Sequence, residues 1–264
     1  AARAKADRNL RLLRRMVDED PGDAAAWCYL ARDAARAGNP DEAARAAERA
    51  WPLLMAGARP APAFTLAALR AELQLGHGDP AAARRTAEAA AGWGLGHPNA
   101  WLLAGVAALE AAALAPTGAR GPALAAAEGW LRRCLGPDPG EPGDELSAGA
   151  RSWAAYVPLG DALLLRGDPA ASSAFEAALA ALPPRPSGLG ARMALRARLG
   201  LAEAAVAIDW RRALTLAEPL LGAGVADGWW IAAAAAARGG RPDDAALFAA
   251  GARGPLLRPW RRAR

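Results

Sequence analysis

Lysine is almost absent from this chain. Lys5 is the only one, and the rest of its 32 basic residues are arginine. Phenylalanine (3), tyrosine (2) and β-branched residues are too few to build alternating strand patterns, which excludes a β-sheet core. Two cysteines make no disulfide framework; Cys28 and Cys134 both fall inside helical patterns and read as buried thiols. The longest apolar run, Ala100 to Leu109, is too short to span a bilayer and is closed by Glu110. No signal peptide opens the chain, so a soluble, cytoplasmic segment is expected. Only two histidines are present. His77 and His97 each lie beside glycine or proline with no carboxylate or cysteine at ligand spacing, so no metal is expected. Neither histidine pairs with a cysteine as a nucleophile would require. Gly136–Gly143 lacks the Gly-Lys-Ser/Thr of a phosphate loop. No cofactor and no catalytic residue are therefore expected, and the segment reads as non-enzymatic.

What is present is alanine, the best helix former, at helical spacing. The 264 residues are 53% apolar, much of that alanine, whose small side chain demands close helix contact. The excess of arginine and alanine is the bias of a GC-rich bacterial genome, so the +5 charge says little about partners, and no nucleic acid is expected. The basic cluster Arg258, Arg261, Arg262 and Arg264 reads as a solvated tail. The chain opens at Ala1 rather than methionine, from which a segment of a longer protein is expected.

A first helix is expected over Arg8–Val17, with Leu10, Leu13 and Val17 on one side. Helix pairs then start near residues 24, 63, 98, 153, 193 and 226. Ala24–Ala37 carries Trp27, Leu30, Ala31 and Ala34 at i, i+3, i+4 and i+7. Gly38 suits a left-handed cap and Pro40 the first turn of the next helix, with Ala43, Ala47 and Ala50 inward. The same turn chemistry returns at Gly76–Pro80, Gly167-Asp168-Pro169 and Gly240-Arg241-Pro242. The third pair is expected to have an expanded turn at 115–121. Gly136–Gly149 cannot be helical and reads as a loop between sub-stacks 1–135 and 153–264, with the loop taken as 136–152. Pro183, Pro184 and Pro186 stop the fourth pair. Ser172-Ser173 reads as small-residue packing, and Asp243-Asp244 as acids at a helix N-terminus.

Trp27-Leu30-Ala31-Ala34 followed by Ala43-Ala47-Ala50 resembles the tetratricopeptide repeat (TPR), with alanine where two positions are usually bulkier. The resemblance covers nearly the whole chain and implies an all-α fold: a right-handed α-solenoid of about six TPR-like pairs. It further implies a protein or peptide partner held on a concave groove lined by the first helix of each pair. By the family's positions that groove presents Cys28, Arg32, Arg36, Asn99, Leu102, Val106, Asp161 and Trp230. Arg32 and Arg36, one turn apart, are candidates to hold a carboxylate or phosphate together, against the plainer reading of a solvated charged face. Trp27, Trp101 and Trp229 occupy the packing position and read as core. Trp230, one place on, cannot share their face and is the better contact candidate. The family's chaperone-tail clamp does not carry over, because Arg32 stands where Asn is needed and the second repeat offers mainly Ala and Leu.

Arg8–Leu13 and Glu19-Asp20-Pro21-Gly22-Asp23, leading into an aromatic-Leu helix, resemble the junction in bacterial family 2 glycosyltransferases. There a catalytic domain precedes tetratricopeptide repeats. The Asp144–Arg151 stretch leading into Tyr156–Gly160 is similar to their middle insertion. This resemblance implies an N-terminal glycosyltransferase domain as partner and an acceptor-orienting role. Asp18-Glu19-Asp20 matches D-x-D, but it lies at a helix end with no preceding strand and reads as a turn.

Overall fold

Four turns with the same chemistry set the pattern of the fold. Gly38, Gly78, Gly167 and Gly240 all have φ between 71° and 79°, a left-handed backbone that needs glycine. After each, the next residue's N–H reaches back to close the helix end: Asn39 to Ala34 (2.9 Å), Asp79 to Gln74 (2.9 Å), Asp168 to Leu163 (2.9 Å) and Arg241 to Ala236 (3.0 Å). Proline follows in every case. Pro40, Pro80 and Pro242 begin the next helix, where a missing N–H costs nothing.

The computed structural model describes residues 2–58, 62–93, 98–136, 149, 151–186 and 188–252, without the side chains of 2–6, 99, 100 and 117. The described residues form thirteen helices and no strand. They are α1 (Ala2–Glu19), α2 (Ala24–Arg36), α3 (Pro40–Met55), α4 (Ala63–Gly76), α5 (Pro80–Ala91), α6 (Pro98–Leu114), α7 (Thr117–Leu135), α8 (Trp153–Leu165), α9 (Ala171–Ala181), α10 (Gly188–Val206), α11 (Trp210–Gly222), α12 (Ala226–Arg238) and α13 (Pro242–Gly251). The all-α expectation holds, and helices adjacent in sequence pack on one another. No helix among the described residues is long and apolar enough to cross a membrane.

The chain divides into two compact units, Ala1–Ala107 and Ala108–Arg264. The division falls within α6, and α7 packs on α8. Residues 137–148, most of the expected loop, lie outside the described residues, as do His97 and the arginines from Arg258 onward. One helix start differs from expectation. α7 begins at Thr117, so Pro122 stands inside it and the turn shrinks to Ala115-Pro116. Pro122 and Gly118 are both exposed, so water can serve the Gly118 carbonyl that Pro122 leaves without a helical donor.

In the first unit, Leu10, Leu13 and Val17 of α1 pack with Leu30, Ala31 and Ala34 of α2 and with Ala43, Ala47, Ala50 and Leu54 of α3. Each buried alanine methyl stabilises by roughly a methylene's worth, about 0.8 kcal/mol, so the core depends on number and closeness. Arg14 ties α1 to α3 by donating from Nε and Nη2 to Glu42, at 2.7 Å each.

The second unit uses a different device. A large side chain enters a slot left by glycine on a neighbouring helix. Phe175 of α9, fully buried, lies between Gly160 of α8 and Gly200 of α10. A Cβ on Gly160 would stand 2.6 Å from its ring, and one on Gly200 would overlap it more deeply. Leu220 meets Gly228, Trp210 meets Gly239 and Trp229 meets Gly251, with a hypothetical Cβ at 2.5, 2.7 and 2.6 Å. By contrast, Gly129 in α7 faces open space. Gly200→Ala should therefore destabilise by roughly 1–3 kcal/mol through overpacking. Gly129→Ala should stabilise by about 0.5–1 kcal/mol through helix propensity alone. Urea unfolding of the two variants checks the opposite signs.

Candidate binding clefts

Arg32 sits on α2 in a cleft of about 250 Å³ formed with α1 and lined by Asn9, Leu12, Leu13, Tyr29, Arg32 and Asp33. Its guanidinium lies 4.8 Å from the centre of the Tyr29 ring, and its Nε donates to Asp33 at 2.8 Å. The charge is thus already partnered. Arg36 is exposed in the last turn of α2 and does not line this cleft. Arg36 instead suits the negative end of its own helix. Cys28 is 1% exposed and belongs to the core rather than to an open groove. Burial, with Asp23 adding, pushes its thiol up to about 12. Leu102 is half-buried in the first unit, and the Asn99 side chain lies outside those described.

Asp161 is another correction. It was expected on the groove and is 1% exposed, accepting from Arg196 Nε at 2.6 Å across α8 and α10. α8 is packed on every side there, with Val157 to Leu163 all buried. Glu110, near the end of α6, belongs to the same charged group. Burial raises its carboxyl above the usual range; Arg196 opposes that shift and Asp161 adds to it. Trp230 is exposed (50%) on α12, as its offset from Trp229 implies. Of the three tryptophans read as core, Trp101 is 1% exposed. Trp27 and Trp229 are half-buried, the first donating to the Pro21 carbonyl at 2.9 Å and the second lying 6.2 Å from Phe248. Asp18 and Glu19 are the last residues of α1 rather than a turn; the turn follows at Pro21-Gly22, where Asp20 accepts from the Gly22 N–H at 2.9 Å.

Another polar arrangement is one the sequence reading missed. A cleft of about 320 Å³ opens between α3, α4 and α5. Helix α3 gives Trp51 and Met55, α4 gives Arg70 and Gln74, and α5 gives Ala82, Arg85, Thr86 and Ala89. Arg70 lies over the Trp51 ring at 4.6 Å and donates from Nε and Nη2 to the two oxygens of Glu48, at 2.8 and 3.0 Å. Its Nη1 donates to the hydroxyl of Thr86, which is 1% exposed and donates in turn to Gln74 Oε1 at 2.9 Å. The signal was present in the sequence. Arg70 interrupts the Leu66–Leu69–Leu73 stripe, and Thr86 stands beside Ala83, Ala87 and Ala90. A buried hydroxyl in an alanine face needs partners, and here it finds two.

No family model matches the chain, and no curated protein matches it. Among solved structures, human IFIT1, as a dimer with PPP-AAAA, is similar over 92% of this chain and 57% of its own, at 12% identity and a TM-score of 0.50. The chain therefore spans less than two thirds of that protein's length. The P58(IPK) TPR domain aligns over 92% of this chain and 86% of its own, at 13% identity and a TM-score of 0.35. The likeness is one of fold: a TPR-like helical repeat.

Glu110 yields a pH test. A carboxyl whose folded pKa is raised favours folding below its ordinary value, and that contribution is lost as pH rises through the raised value. Glu110→Gln should therefore raise the Tm at neutral pH, with the gain fading below about pH 4, where the carboxyl of the unfolded chain is also protonated. Thermal melts across pH check this.

Proposed function

We propose that this chain is a non-catalytic scaffold that binds a protein or peptide, within a larger, cytoplasmic bacterial protein. The observation that carries the reading is the open cleft at Trp51, Arg70 and Arg85. It is a preformed recess with an aromatic and aliphatic wall, polar groups already ordered, and a size suited to a few side chains. Ordering these groups before binding lowers the entropic cost of association. The hydroxyl lining this cleft does not suggest a nucleophile. Thr86 is held between a guanidinium and an amide, neither of which takes a proton from it at neutral pH. Peptide display against the intact chain should select segments that bind in the micromolar range. The reading is overturned if none is retained while circular dichroism shows the chain folded.

The second reading is an acceptor-orienting domain C-terminal to a family 2 glycosyltransferase domain. It is favoured by the Arg8–Asp23 segment alone, which supplies the end of α1 and the Asp23 cap of α2, where Asp23 accepts from Ala25 and Ala26 at 2.9 and 3.0 Å. An upstream βα domain with D-x-D after a strand in the same reading frame supports this; any other upstream domain removes it.

A further inference from the structure

We propose that the cleft between α3, α4 and α5 binds the side-chain carboxylate of an acidic peptide whose neighbouring residue is aliphatic. This rests on the peptide-binding reading above and names the ligand chemistry. The hydrogen bonds fix which groups face a ligand. Thr86 accepts from Arg70 and donates to Gln74 Oε1. The Gln74 NH₂ is then a pair of donors. Arg70 is neutralised by two bonds to Glu48 and held against Trp51, which makes it a wall of the cleft rather than its free cation. Arg85 is exposed on the next helix, and among the described residues nothing pairs with it. No carboxylate lines the cleft.

The cleft thus offers one unpaired guanidinium and one amide donor group, which match a single carboxylate. Beside them lie Trp51, the half-exposed Met55, Ala82 and Ala89, an apolar wall that a phosphate has no use for and an aliphatic side chain does. A nucleic-acid backbone would call for several cations in a row, and the lining offers one unpaired. The site draws Arg70 and Gln74 from α4, the first helix of its pair, and its other residues from the second helices α3 and α5.

Titration calorimetry on the 264-residue chain tests the assignment, with an N-acetylated, C-amidated octapeptide alternating leucine and glutamate as probe. Blocked ends exclude a terminal carboxylate as the ligand. The peptide should bind, and its leucine–glutamine counterpart should bind at least about tenfold more weakly. Arg85→Glu should abolish the difference. Arg85→Lys should recover part of it, since an ammonium keeps the charge but not the fork. Arg198→Glu, at an exposed arginine outside the cleft, should leave binding unchanged. Equal binding of the two peptides overturns the assignment, as does an Arg85→Glu protein that is folded and binds like the parent. Binding of an oligouridylate that depends on Arg85, with none of the acidic peptide, assigns the cleft to nucleic acid and overturns it too. If display selects peptides without acidic residues, this inference fails while the scaffold reading stands; if it selects none, the scaffold reading fails.

Discussion

Helices faced with alanine gain little from any single contact, so their stability depends on how closely their axes approach. Glycine takes this furthest in the second unit, where Phe175 fills the space that side chains on Gly160 and Gly200 would occupy. Leu220 on Gly228, Trp210 on Gly239 and Trp229 on Gly251 repeat the device between successive helices. Each slot specifies one partner, because a methyl on the glycine would collide with the ring or, at Gly228, with the Cβ of Leu220. A core built mostly of alanine thereby acquires a register that alanine alone does not define.

The same closeness decides where a ligand can be met. Where a helix is packed on every side, a polar residue is buried with the rest and needs a partner, as Asp161 finds in Arg196. Cys28 is likewise taken into the core. Open space remains where a larger residue keeps helices apart. Trp51 and Arg70 do this in the first unit, and the cleft they border is the result.

The turns were legible in the sequence because a left-handed backbone position leaves little choice but glycine, and proline after it can begin a helix. That is why Gly38, Gly78, Gly167 and Gly240 mark helix ends as read. The start of α7 was not legible, since an exposed proline in an early turn costs too little to forbid the helix around it. The site was less legible than the fold. Trp230's exposure followed from its offset on the helix, but the cleft required Glu48, Arg70 and Thr86 to meet from three helices. Sequence separations of 22 and 16 residues obey no helical period, so periodicity could mark Arg70 and Thr86 as exceptions without saying that they touch. Nor does helical spacing show that Asp33, one residue along, takes the Arg32 guanidinium.

Lys5 is the only lysine beside 31 arginines, and that choice of cation has structural consequences. The guanidinium can lie flat on a ring while its edge donates, and here it does both at once: Arg70 on Trp51 with Glu48 and Thr86, and Arg32 on Tyr29 with Asp33. An ammonium has no plane to stack and no fixed fork, so it would meet either demand less well. The polar groups of the Trp51 cleft are therefore ordered before any ligand arrives, at the cost of Arg70's own charge, which Glu48 consumes. Recognition of charge passes to Arg85, the guanidinium of that cleft which the fold leaves unspent.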